Sequence, residues 1–432
     1  MTTKLAALGA HPVRTSPFPI EDPILLDEEF HAVDSAIRSR CLSIFSSSEV
    51  QAFEEEFASY VGTNHAVAVT SGTAALHASL AAIATNGRYK VLVPVYTYAA
   101  SVNAIYLAGL VPEFVDLAPD SPNLSMADAS DRCSEDVTAL LGVDLFGIPF
   151  DRDSAQALCA ESGLTLVEDC AQSVGARWRD QPVGSFGIGC HSFGEIKNMT
   201  SAEGGMVTAA DSSAVERVRA VRHAGEVWQA SGRSTIGHYS SSIDELTSGM
   251  DYILAGHNYR MNSLQAALGR AQLKRLDDLN QLRSQHYATI AAAVQGVDGV
   301  STFAIPEVSQ PVANRCGLLL THSRLSRRAV LYSLMAEGIP AGVYYPMLHS
   351  QTSVAAARGV HTERPFPNAQ RVISSHVLVP CYPAMTPSDA LDVAEAVTRV
   401  LRADLTEREV SDLEASAARA RATYFGQFFT LA

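Results

Sequence analysis

Basic residues are in the minority: 32 Lys and Arg stand against 46 Asp and Glu, a formal net charge of −14. An acidic surface of this kind repels phosphate backbones and argues against nucleic acid as a partner. Ordinary solubility accounts for it, and a locally positive cleft would still accept a small anion. Cysteine is sparse, at seven scattered residues with no CxxC pair. That excludes a disulfide framework and a zinc site, and is expected of reduced thiols in a cytoplasmic protein without a metal centre. Met1–Pro19 has no basic block followed by an apolar one, so no secretion signal is expected. Uncharged runs are also few. Val91–Pro112 is uncharged for 22 residues, but Pro94, Thr97, Ser101 and Asn103 interrupt it. It reads as a buried strand, a loop and a buried helix, and no membrane segment is expected. Internal repeats and low-complexity tracts are absent. So is a G-x-G-x-x-G fingerprint: Gly184–Gly189 has the wrong glycine spacing, which argues against a nicotinamide oxidoreductase.

What is present is a folded-protein composition, 47% hydrophobic over 432 residues, enough for two or three structural units. Residues 1–20 contain three prolines and read as an extended arm. Glu21–Gly62 is helical and polar. From His65 the chain alternates apolar runs with helical stretches. Candidate strands are His65–Thr70, Lys90–Tyr96, Val111–Leu117, Val137–Leu145 and Leu164–Glu168; candidate helices are Thr73–Thr85, Ala99–Gly109 and Asp151–Ser162. Such alternation predicts an α/β fold with a mostly parallel sheet covered by helices. Gly184–Thr208 supplies short glycine-punctuated strands, Gly225–Gly256 reads as an insertion, and Asn262–Ala293 reads as one long helix. The expected division is an arm at 1–20, a large domain at 21–260 with the insertion at about 225–256, and a smaller α+β domain at 261–432 that includes a strand at Val377–Pro380.

Three segments could carry chemistry. Thr70-Ser71-Gly72-Thr73-Ala74-Ala75 joins a strand to a helix, and its free N–H groups suit either a phosphate cradle or an ordinary N-cap. Glu168-Asp169-Cys170-Ala171-Gln172 puts an acid at the C-terminal end of a strand, where a carboxylate can hold a ring nitrogen protonated or cap a helix. Cys190–Asn198 carries one lysine, Lys197, among aromatic and small residues. It is either a loop lysine or an amine able to form a Schiff base.

The order of the three, with Lys197 28 residues beyond Asp169, is that of aminotransferases of the pyridoxal-phosphate fold type I. The stretches TSGTAALHASL (70–80), VEDCAQSVGA (167–176), VGSFGIGCHSFGEIKNMTSAEGGMV (183–207) and HNYRMNSLQAALGRAQLKRLD (257–277) resemble the DegT/DnrJ-type sugar aminotransferase family over nearly the whole chain. The resemblance implies pyridoxal 5'-phosphate as cofactor, held by Lys197, which also moves the substrate proton. It implies that Asp169 pairs with the pyridinium nitrogen and keeps it charged. Gln172 would bond the ring hydroxyl, and Gly72, Thr73, Ala74 and Ser192 would hold the phosphate. Tyr98 would stack on the ring, with core packing as the other reading. Asn258 would reach the phosphate of the neighbouring subunit in a homodimer with shared sites. His349 and Tyr345, in the stretch Tyr345–His349, would lie near the substrate. A family dehydratase branch has His in place of the lysine, and a regulatory member would lose Lys197 or Asp169; neither pattern is present here.

The implied activity moves an amino group from glutamate or glutamine to a keto-sugar or cyclic polyol ketone, in amino-sugar or aminocyclitol biosynthesis of the antibiotic type. Leu8–Thr15 resembles the arm of the branch that aminates keto-inositols; nucleotide-linked keto-sugars are the alternative acceptors. Two departures bear on the acceptor. Gly194 stands where the family often has His or an aromatic, which predicts an open pocket, and the stretch before Asn258 is longer than usual.

Overall fold

The computed structural model describes residues 4–21, 23–83, 86–230, 233–234, 250–351, 365–425 and 428–431. Nine strands and seven helices build the first half. The strands are β1 (His65–Val69), β2 (Lys90–Pro94), β3 (Val111–Val115), β4 (Val137–Val143), β5 (Thr165–Asp169), β6 (Arg177–Trp178), β7 (Gln181–Pro182), β8 (Ile188–Ser192) and β9 (Gly205–Ala209). The helices are α1 (Asp27–Ser39), α2 (Glu49–Val61), α3 (Gly72–Ala82), α4 (Ala99–Leu107), α5 (Met126–Arg132), α6 (Arg152–Ser162) and α7 (Ser212–Arg222).

Seven strands form one sheet in the order β1-β9-β8-β5-β4-β2-β3. All adjacent pairs from β8 to β3 are parallel, while β9 runs antiparallel to both its neighbours. This is the expected mostly parallel sheet, and the arrangement is that of fold type I. All seven residues of β4 (VTALLGV) are buried, as a strand covered on both faces requires. Nine of the eleven residues of α3 are buried, which is why its sequence shows no polar face.

The expected strands and helices lie within a few residues of those found. Glu21–Gly62 resolves into α1 and α2, closed by Arg40 and Gly62, both at positive φ. The short helix α5, the β6–β7 hairpin and α7 lie where no element was expected. Asn262–Ala293 is not one helix. It breaks at Lys274-Arg275 into Ser263–Leu273 and Leu276–Val294, because Asn262 caps the first piece and a fresh acidic turn, Asp277-Asp278, starts the second. Within 225–256, Glu226–Ala230 pairs with Arg233–Ser234 and with Met250–Tyr252; residues 235–249 of the expected insertion lie outside the described residues.

Toward the C-terminus a three-stranded antiparallel sheet of Val300–Thr302, Cys316–Leu320 and His376–Val379 packs with helices Leu276–Val294, Arg327–Ala336 and Pro387–Leu401. Its buried side chains, such as Leu318, Val377 and Val393, belong to the same contiguous core as Val93 and Val167 of the large sheet. The N-terminal arm crosses this region. Buried Glu337 accepts the N–H groups of Ala6 (2.9 Å) and Val13 (3.0 Å) and pairs with Arg399 (3.1 Å), and Arg14 pairs with Asp389 and Asp392. Tied there, the arm delivers Ile20 and Glu21 to the edge of the large sheet. Among the described residues no helix is long and apolar enough to cross a membrane, and no cluster of His, Cys, Asp and Glu could hold a metal.

Candidate active site

The C-terminal ends of β1, β2, β4, β5 and β8 point to one edge of the sheet, where ligands of open α/β sheets bind. A cavity of about 640 Å³ lies there. Gly72, Thr73, Tyr98, Asp169, Gln172, Ser192, Lys197 and Tyr345 all line it; all but Tyr345, which comes from the stretch after helix Arg327–Ala336, meet because their segments each follow one strand of the sheet. Ala74, Asn258 and His349 do not line it. Ala74 is buried one residue deeper in α3, and its N–H is bonded to Ser71 Oγ at 3.1 Å. Asn258 is exposed beside His223. His349 packs between the rings of Phe114 and Phe366, at 6.3 and 5.0 Å.

Each element positions its residue by a local device. Ser71 caps α3, leaving the N–H groups of Gly72 and Thr73 without acceptors inside the helix. Gly72 is required by packing: a Cβ there would stand 2.7 Å from Ser192 Cβ, so the helix N-terminus and Ser192 share one wall. After β8 the chain loops through Lys197 and returns as β9, closed by Phe193 N–H to Gly204 O (2.8 Å) and Ser201 N–H to Phe193 O (2.9 Å). Buried Phe193 anchors the loop against Phe53 and Phe57. Buried Arg283 grips its backbone, donating to the carbonyls of Lys197 (3.0 Å) and Asn198 (3.1 Å).

Asp169 is buried at the end of β5 and accepts hydrogen bonds from Ser101 Oγ (2.8 Å) and Ala171 N–H (3.1 Å). Both partners are neutral, and burial raises its carboxyl above the usual range. A buried triad stiffens the strand ends beneath it. Arg152 pairs with Asp144 (2.7 Å) and Glu168 (2.9 Å), and Glu168 also accepts from the N–H groups of Gly184, Phe186 and Gly187. Gln172 takes Phe146 N–H on its carbonyl (2.8 Å), which turns its amide nitrogen toward Tyr345 Oη (3.3 Å). Burial, with Arg315 nearby, lowers the Lys197 amine to about 8, against the pull of Asp169, Glu21 and Glu203. At Gly194 an added Cβ would meet nothing closer than 3.8 Å, so the cavity is open beside Lys197 as expected.

These features fit pyridoxal phosphate. The Gly72–Thr73 helix start can take a phosphate. A buried carboxylate with only neutral partners suits a cationic ring nitrogen, and an amine brought down to about 8 can condense with an aldehyde. Glu21, Ser101, Arg283, Asn314 and Arg315 escaped the sequence reading. Ser101 alone left a trace there, as a polar residue in the first turn of the apolar helix α4.

The chain matches the DegT/DnrJ/EryC1/StrS aminotransferase family over residues 23–398. The uncharacterized protein MJ1066 of Methanocaldococcus jannaschii is 28% identical over 395 residues, spanning 90% of this chain and 99% of its own. Among solved structures, DesV of S. venezuelae is similar with a TM-score of 0.76 at 29% identity, covering 88% of this chain and 95% of that one. The sugar aminotransferase CalS13 of Micromonospora echinospora gives 0.77 at 25% identity, covering 88% and 99%. A match of this extent, over a cavity built for the cofactor, places the chain in the DegT/DnrJ/EryC1/StrS aminotransferase family, as a pyridoxal-phosphate-dependent transaminase.

Proposed function

We propose that the enzyme transfers an amino group from glutamate or glutamine to a keto-sugar or cyclic polyol ketone, in amino-sugar or aminocyclitol biosynthesis of the antibiotic type in the cytoplasm. The observation that carries this reading is a lysine amine lowered to about 8 in the same cavity as a buried Asp169 whose hydrogen-bond donors are both neutral. The sugar aminotransferase activity named for CalS13 supports the acceptor class.

When bound, pyridoxal phosphate supplies the electron sink that accepts the pair released as the donor's Cα–H bond breaks. Lys197 would hold the cofactor covalently, and its Nζ, when free, would take the proton from the donor's Cα and carry it to the cofactor. Asp169 keeps the ring nitrogen protonated, and the Ser101 and Ala171 bonds fix its two oxygens for that task. Gln172 donates to the ring hydroxyl. The N–H groups of Gly72 and Thr73 and the Ser192 hydroxyl bind phosphate, and Ala74, its N–H taken by Ser71 Oγ, holds the capped turn that presents them. Tyr98 covers the ring, its own ring 5.7 Å from that of Tyr345, and Tyr345 borders the substrate. Asn258 is exposed and outside its own chain's cavity, which suits a role in the site of the second copy in a homodimer. His349 acts from behind Phe366 and supports the substrate side.

The test is the purified protein. It should be yellow, and Lys197→Ala should lose that absorption and all turnover; unchanged activity in the variant would end the proposal. Offering the aminated enzyme keto-inositols and nucleotide-linked keto-sugars separately identifies which acceptor restores the original spectrum.

A further inference from the structure

One wall of the cavity takes no part in holding the cofactor. Glu21, delivered by the N-terminal arm, is 8% exposed and makes two bonds to Arg315, at 2.6 and 3.1 Å. Arg315, itself 4% exposed, stands at the head of the strand Cys316–Leu320. Beside it Asn314, 5% exposed, lines the cavity and has an amide Nδ2 with no hydrogen-bond partner. An orphaned buried donor is destabilising unless something completes it. The Glu21 carboxylate and the Arg315 guanidinium are both close enough to Lys197 to act on its charge. Tyr98 and Tyr345 supply aromatic surface to the same cavity.

A carboxylate, a guanidinium and a primary amide side by side offer both acceptors and donors. A ring carrying several hydroxyls requires both, because each hydroxyl donates one bond and accepts others. The charge balance points the same way. Among the described lining residues, the carboxylates of Glu21, Asp169, Glu195 and Glu203 outnumber the cations Lys197 and Arg315, while Asp144 is already neutralised by Arg152. The guanidinium of Arg315 is likewise matched by Glu21, so the wall as a whole is neutral.

We infer that Glu21, Arg315 and Asn314 form the acceptor-reading wall, and that they select an uncharged polyhydroxylated ring ketone by bonding its hydroxyls. This rests on the aminotransferase reading above and narrows its acceptor. Glu21 accepts from ring hydroxyls while Arg315 holds its carboxylate in place, and Asn314 gains the acceptor it lacks. A site built to bond a hydroxyl discriminates strongly against ligands that cannot supply it.

The test uses the holoenzyme and two independent readouts. The two half-reactions are followed by cofactor absorbance, with glutamate as donor and scyllo-inosose as acceptor, and calorimetry measures binding of scyllo-inositol, which cannot react. Glu21→Gln should raise KM for scyllo-inosose and weaken scyllo-inositol by about tenfold or more, with a clearly smaller effect on the donor half-reaction. Asn314→Ala should weaken scyllo-inositol in the same direction. It removes no internal bond of Nδ2, so it serves if Glu21→Gln folds poorly. A larger loss with glutamate than with scyllo-inosose would mean that the pair anchors the donor's carboxylate, and would overturn the inference. Equal losses in both halves, or unchanged polyol binding in both variants, would also overturn it. Because calorimetry needs no turnover, a wild-type enzyme that binds scyllo-inositol but accepts no amino group would defeat the aminotransferase reading and leave the wall standing.

Discussion

Burial sets the chemistry of Lys197. An amine lowered to about 8 is part neutral at physiological pH, whereas an unshifted lysine would be almost wholly protonated. Capture of the cofactor aldehyde needs the neutral form, so the capture rate of apoenzyme should rise from pH 7 to 9 with a midpoint near 8. A stopped-flow midpoint above 10 would show that the pocket does not perturb the amine. Asp169 is held by two neutral donors, so Asp169→Asn keeps the size and one acceptor, for Ala171 N–H, while its amide nitrogen must donate to Ser101 Oγ and the charge is lost. It should retain some cofactor and lose much of kcat, because the ring nitrogen would no longer stay protonated; near-normal turnover would remove its role. Lys197 and Asp169 were readable because each sits in a contiguous motif and their order along the chain is informative. Glu21 and Arg315 were not. Their partnership spans nearly three hundred residues, and a charge before a strand looks like any solvated residue until the fold pairs it.

At the scale of elements, the site depends on how closely α3 approaches β8. Gly72→Ala puts a Cβ 2.7 Å from Ser192 Cβ, so α3 must move away from Ser192. Cofactor Kd should rise about tenfold or more with little change in global stability, and a Kd within twofold of wild type would refute the tight-wall argument. The strand ends depend on Arg152, which is fully buried between two carboxylates. Arg152→Met would leave Asp144 and Glu168 uncompensated, and should cost about 3–5 kcal/mol in urea unfolding. Sheet elements were legible because buried parallel strands are short, apolar and bounded by turns. The break at Lys274-Arg275 was not, because apolar spacing continues across it and only the caps differ. The helix α5 was hidden by its length, as seven mostly polar residues show no period.

Across the whole molecule, neutral buried histidines make the fold sensitive to acid. Burial lowers His191 to about 3 and His376 to about 4. His376 also accepts Tyr344 N–H on Nε2 (3.0 Å), a bond that only the neutral ring can take. Above pH 6.5 both folded and unfolded chains keep this ring neutral. Between 6.5 and 4 the unfolded chain takes a proton that the folded chain refuses, so stability falls as pH falls. For His376 the full window corresponds to about 3 kcal/mol. The thermal midpoint should therefore drop between pH 6.5 and 4.5, and drop less in His376→Asn, which keeps an acceptor but does not titrate. Equal acid slopes would show that His376 is not responsible.

The docking of the arm also sets an order of events during synthesis. Residues 4–21 leave the ribosome ahead of the groups that hold them, Glu337, Asp389 and Arg399, which are translated far later. The residues that surround Lys197, from Ser71 through Arg283, are complete well before that. The nascent chain thus finishes its cofactor pocket while its first residues still have nothing to dock on. The arm that carries Glu21 is fully tied only once the segment carrying Arg399 has emerged, so the wall that Glu21 shares with Arg315 is completed after the loop that carries Lys197.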